Sequence, residues 1–117
     1  MYGVPKDLPL QRFIGDAVLQ VGIGMDGVHF VFGRAGTIAV EGRWELVDSS
    51  GALVDHYQQH EERQSYRLHV ILNADVTGYD LDPPRSFVIT FATGHQLKVY
   101  DGPGYESFHI YPDDIHV

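Results

Sequence analysis

The chain contains no cysteine. That excludes disulfides, thiolate nucleophiles, iron–sulfur clusters and cysteine-ligated zinc, and it fits a reducing compartment. Cations are scarce as well: eight Lys and Arg stand against 16 Asp and Glu, for a formal net charge of -8. Residues 1–58 hold seven acids and four Lys/Arg, and residues 59–117 hold nine and four. Both halves are therefore acidic. Eight scattered cations cannot form a counterion-releasing stripe, so neither nucleic acid nor an anionic membrane is expected as a partner. No apolar run approaches the roughly 20 residues of a membrane helix. The opening "MYGVPKDLPLQRF" lacks the basic start and apolar stretch of a signal peptide. A cytoplasmic protein is the expectation.

What is present is a globular composition, 44% hydrophobic and 21% charged over 117 residues. That length suits one domain. Period-two alternation dominates, as in half-buried strands. "VHFVF" places Val28, Phe30 and Phe32 on one face, and "TIAVEGRWEL" does the same for Ile38, Val40, Trp44 and Leu46. "MDG" at 25–27 is a hairpin signal, because Asp-Gly tolerates positive φ. Four antiparallel strands are expected near 17–23, 27–33, 37–42 and 43–48.

The second half repeats the scheme. Val76, Tyr79 and Leu81 match Val18, Val21 and Ile23; Phe87, Ile89 and Phe91 match Val28, Phe30 and Phe32. Leu97 and Val99 match Ile38 and Val40, and Phe108 and Ile110 match Trp44 and Leu46. Matched order, spacing and lead-in segments ("QRFIGDAV", "HVILNADV") argue for internal duplication. A single meander exposes one apolar face and cannot bury it alone, whereas a second copy supplies the complement. The expected fold is mainly β: two repeated antiparallel meanders, about eight strands, forming a pseudo-twofold sandwich or small barrel. Repeat one covers about 9–48, a connector 49–68 and repeat two about 69–112. "HEERQSYRLHVIL" lacks Gly and Pro and predicts one short helix near 60–72.

Candidate chemistry is sparse. His56 and His60 lie four apart and would share a helix face, which makes them the candidate metal pair, with Asp55, Glu61 or Glu62 as oxygen donors. Asp80 and Asp82 could share a strand face, although Asp82 before Pro83 is also a turn opener. "GIGMDG" imitates a dinucleotide loop but precedes a strand rather than a helix, so it is rejected. The loop "DGPGYE" is inserted relative to the first copy, where only "EGR" stands. Tyr100, Tyr105, His109 and Tyr111 surround it and form the candidate binding edge, since recognition often sits on loops carried by a rigid scaffold. No cofactor is expected.

The motifs "VEGRWEL" and "GYESFHI" resemble a group of small bacterial proteins of unknown function. That resemblance covers roughly residues 8–112 and implies an all-β single domain, with no activity or catalytic residue to carry over. The leading functional expectation is a non-enzymatic protein-binding module, in one version an immunity-type inhibitor of a basic partner. The alternatives are a small-molecule carrier or sensor with a pocket between the repeats, and a metal-binding hydrolase. A homodimer through edge strands is the expected mode of self-association.

Overall fold

The computed structural model describes residues 4, 8–24, 27–57, 66–101, 108–111 and 115–116. Within them ten strands form two antiparallel sheets. In chain order these are β1 (Val18–Ile23), β2 (Val28–Phe32), β3 (Thr37–Val40), β4 (Trp44–Val47), β5 (Leu53–Tyr57), β6 (Val76–Asp82), β7 (Ser86–Phe91), β8 (Gln96–Tyr100), β9 (Phe108–Tyr111) and β10 (Ile115–His116). One sheet runs β1-β2-β3-β9-β10 and the other β5-β4-β8-β7-β6.

The duplication is borne out in the registers. β1 pairs with β2 as Val18↔Phe32, Val21↔Phe30 and Ile23↔Val28. β6 pairs with β7 as Val76↔Phe91, Tyr79↔Ile89 and Leu81↔Phe87, position for position the same. Both pairs carry a bulge at the matching place, between Val18 and Gln20 and between Val76 and Gly78.

The fourth strand of each repeat, however, leaves its own sheet. β3 and β4 do not pair with each other. β3 pairs with β9 (Ile38↔Ile110, Val40↔Phe108), and β8 pairs with β4 (Leu46↔Leu97, Trp44↔Val99). The expected four-strand meanders are thus three-strand meanders, each completed by the other repeat's last two strands. Glu41–Arg43 reads as a hairpin turn but carries the chain across from one sheet to the other.

Near the internal twofold axis the backbone hydrogen bonds come in matched pairs. Gly15 N–H donates to the Val76 carbonyl and Asn73 N–H to the Val18 carbonyl, each at 2.8 Å. Val76 N–H reaches the Asp16 carbonyl and Val18 N–H the Ala74 carbonyl. Ala17 and Asp75 form an antiparallel bridge between the two sheets. Each repeat enters this corner from a 3-10 turn, Gln11–Phe13 or Leu68–Ile71. The short helix expected near 60–72 is, in its described part, this second turn; residues 60–65 lie outside the described set. The turn stops because Asn73 takes φ 64°, as Gly15 takes φ 86° in the first copy. Left-handed backbone is open to glycine and tolerated by asparagine.

This gives a first test. A Cβ on Gly15 would meet nothing within 4 Å, so any cost of Gly15→Ala is purely conformational. The expected loss is about 1 kcal/mol by denaturant unfolding, while Asn73→Gly is neutral or slightly stabilising. Equal losses at both positions would contradict the equivalence of the two corners.

The core lies between the sheets. Phe30, Ile38, Trp44, Leu46, Phe87, Leu97, Val99, Phe108 and Ile110 are all fully buried, as alternation requires. Phe108 of one sheet meets Phe87 of the other edge-on, with ring centroids 4.9 Å apart. Phe13, from the first 3-10 turn, closes one end against Phe32 at 4.8 Å. Trp44 and Phe108 are core residues, as the alternation indicated.

Candidate functional site

With the apolar side chains turned inward, the alternate positions face solvent. On the β5-β4-β8-β7-β6 sheet they form a row by register: His56, Glu45, Lys98, Val88 and Asp80. A neighbouring row runs from Tyr100 across the buried Ser86 to Asp82. Strand exchange makes the first row continuous, since it inserts β4 beside β8.

Tyr100 is the centre of the cluster. Its hydroxyl donates to Glu45 Oε1. The Arg43 guanidinium lies 4.2 Å from its ring centroid and the Lys98 ammonium 5.1 Å, so two cations meet the electron-rich ring. Arg43 also approaches Glu45 at 3.6 Å. Burial, followed by the hydrogen bond and charge of Glu45, pushes the Tyr100 phenol up to about 12. It therefore stays protonated and keeps donating throughout the neutral range. Its backbone is anchored too, by a 3.0 Å bond from its N–H to the Arg43 carbonyl.

Beside it runs an open groove of about 690 Å³, lined by Asp82, Pro84, Arg85, Lys98, Tyr100 and Asp101, with Ser86 at its floor. Arg85 is tied to Asp82 at 2.8 Å, and this hydrogen bond holds the exposed Asp82 carboxyl below its ordinary value. Asp101 N–H donates to the Arg85 carbonyl at 2.8 Å, which fixes the groove's far wall. Three of the chain's eight Lys and Arg, namely Arg43, Arg85 and Lys98, gather on this face. The arrangement offers charged donors and acceptors around one aromatic side chain. Such a set suits recognition by hydrogen bonds and ion pairs.

The sequence-derived candidates are dispersed. Tyr100 is in this cluster. His109 and Tyr111 belong to β9 in the other sheet, where register sets His109 opposite both Ala39 and His116. Tyr105 and its loop lie outside the described residues, as does His60. His56 is on strand β5, opposite Glu45, rather than on a helix, so the helical argument for a His56–His60 metal pair does not hold. The strand forms because Asp55 is drawn inward: its carboxylate accepts the N–H groups of His56 and Arg67, the latter at 2.6 Å. Among the described residues no three His, Asp or Glu side chains converge as metal ligands.

Arg43, Glu45, Arg85 and Lys98 were not singled out from sequence. The available signal for Arg43, Glu45 and Lys98 was their alternation with Trp44, Leu97 and Val99; Arg85 lies in the turn before β7 and carried no such signal. Two further grooves, one beside Arg43, His56 and Tyr57 and one beside Gly27, His29 and Glu41, are surface features. None of the three is lined by Phe30, Phe32, Trp44, Phe87 or Phe91, so a carrier's pocket between the repeats is not found among them. No helix among the described residues is long and apolar enough to cross a membrane. No family model, curated protein or solved structure matches the chain.

Proposed function

We propose that the protein is a binding module that docks another protein on the outer face of the β5-β4-β8-β7-β6 sheet, with Tyr100 as the anchor. The observation that supports it is the Tyr100 cluster itself: a half-buried tyrosine, fixed by Glu45 and flanked by Arg43 and Lys98, beside an open groove. Tyrosine and arginine are the residues in which binding energy concentrates at protein interfaces. Net charge of -8 favours a partner that is basic overall and steers its approach. Asp80, Asp82 and Asp101 are the carboxylates such a partner would meet here. An inhibitor of a basic toxin domain is one relation of this kind.

Affinity capture from the native host at low salt tests the proposal. Wild-type protein should retain a partner that high salt releases. Tyr100→Ala should weaken retention about thirtyfold, the scale of a 2 kcal/mol hot spot. His29→Ala, on the other sheet, should leave it unchanged. No partner, or a partner held equally by Tyr100→Ala, would rule out this surface.

A further inference from the structure

The groove beside Tyr100 has a counterpart in the other repeat. Ser86 precedes Phe87 as Gly27 precedes Val28, and Asp82 follows Leu81 as Gly24 follows Ile23. Lys98 and Tyr100 flank Val99 as Ala39 and Glu41 flank Val40. Gly24, Gly27, Ala39 and Glu41 line a groove of about 260 Å³ in the other sheet. The fold thus makes this concavity twice, at equivalent positions. One copy holds two glycines, an alanine and a glutamate; the other holds Asp82, Ser86, Lys98 and Tyr100. The scaffold forms a groove without the second set, so the role of those side chains lies in what the groove holds.

The polar groups of the larger groove are unequally engaged. Asp82 is tied to Arg85 at 2.8 Å, and Glu45 to the Tyr100 hydroxyl and to Arg43. Lys98 has the Tyr100 ring, 5.1 Å away, and no carboxylate partner among the described residues. Ser86 begins β7 and alternates with Phe87, Ile89 and Phe91, which puts its side chain on the outer face, yet it is only 1% exposed. Among the described residues its hydroxyl makes no hydrogen bond, although Ser86 lines the groove. Buried hydroxyls are ordinarily paired. The two groups left over are an ammonium, which only donates, and a hydroxyl, which can donate. Ser86 stands opposite Tyr100, and Lys98 is two residues from Tyr100 on β8. They are therefore diagonal neighbours, about 7–8 Å apart and within reach of a long side chain.

We propose that this groove is a carboxylate-binding site, in which Lys98 supplies the ion pair and the Ser86 hydroxyl donates a second hydrogen bond. The two oxygens of one carboxylate satisfy both donors. A cationic ligand would meet Asp82 already paired. A phosphate dianion would bring two charges between Asp82 and Asp101, whereas a carboxylate brings one. The site goes beyond the docking reading and needs no protein partner: the carboxylate belongs to a free organic acid or to the end of a peptide chain.

Amide NMR spectra of the full chain test the site, with sodium acetate replacing sodium chloride at constant ionic strength and neutral pH. Acetate should shift the Ser86 and Lys98 amides saturably in the millimolar range, as suits so small a ligand. Gly24 and Gly27 of the counterpart groove should not move. Lys98→Met, which keeps an unbranched stem, should weaken affinity about tenfold, and Ser86→Ala about fivefold. Methylammonium should leave the spectrum unchanged, and inorganic phosphate should bind more weakly than acetate. N-acetyltriglycine and its C-terminal amide separate the two sources. Binding of the free-carboxylate peptide more tightly than acetate, with none of the amide, assigns the site to a peptide terminus; binding no tighter than acetate assigns it to a free acid. Either result supports the site. Absent acetate shifts would overturn it, as would equal shifts in the counterpart groove, tighter binding of phosphate, or an affinity indifferent to Lys98→Met. Retention of a protein through Tyr100 is read separately, so failure here leaves the proposed docking face intact.

Discussion

Trp44→Ala is expected to cost about 3–5 kcal/mol, and Phe108→Ala nearly as much. Both side chains are fully buried, and both occupy the first position of a strand that has crossed into the other repeat's sheet. Trp44 stands opposite Val99 and Phe108 opposite Val40, which are themselves equivalent positions. Truncation therefore opens a cavity at the seam between the repeats, where neighbours from both halves must collapse to fill it. Since a domain of this size has about 5–15 kcal/mol in total, either change should leave a substantial unfolded fraction at moderate temperature. Denaturant midpoints measure the loss, with the exposed Leu53→Ala as a control near zero. A loss below about 1 kcal/mol at either site would be incompatible with the exchanged registers.

The second large effect belongs to Asp16. Its carboxylate is buried and accepts N–H groups from Arg34 at 2.7 Å, Ala35 at 2.6 Å and Ala17 at 3.0 Å. It thereby organises the turn after β2, and a Cβ on Gly33 would sit only 2.8 Å from its Oδ1. Burial pushes the Asp16 carboxyl up, but the three N–H bonds more than offset that, so it lies below its ordinary value of 3.8. The folded protein thus prefers the ionised form. Its contribution to stability is fully present above about pH 4 and is lost as pH falls below that value through the folded-state pKa. Asp16→Ala leaves those donors unsatisfied and should cost about 2–3 kcal/mol at neutral pH. The difference between wild type and Asp16→Ala should shrink as unfolding is measured at progressively lower pH below about 4. A pH-independent difference would mean that the carboxylate charge plays no part. The second copy has Ala74 at the matching position, so no equivalent effect is expected there.

Much of this fold was legible in the sequence. Alternation identified the inward residues of the strands, apart from Ile23, which is exposed, and the matching of Val18 with Val76 through Leu46 with Ile110 reproduced the actual registers. Alternation reports which face a residue takes, and face is what the repeat conserves. It does not report which strand lies alongside. Glu41–Arg43 is as short as a hairpin loop, so nothing local distinguishes a turn within a sheet from a crossing between sheets. The Tyr100 cluster was hidden for the same reason: Glu45 and Tyr100 are 55 residues apart and become neighbours only through the exchange. β5 was hidden because its inward residue is Asp55, whose burial depends on N–H groups, one of them Arg67's, that the sequence cannot show to be near.

The exchange also orders events during synthesis. β3 needs β9 to cover its second edge, and β9 is translated only after β4 to β8. The first repeat thus emerges from the ribosome with a bare, apolar sheet margin and no complement. The second repeat cannot close alone either, because β8 takes the earlier-made β4 as its neighbour. Neither repeat is a self-sufficient unit, and the sheet that contains β3 is not complete until β9 has emerged. A nascent chain halted before Phe108 would be a substrate for chaperones rather than a half-built domain.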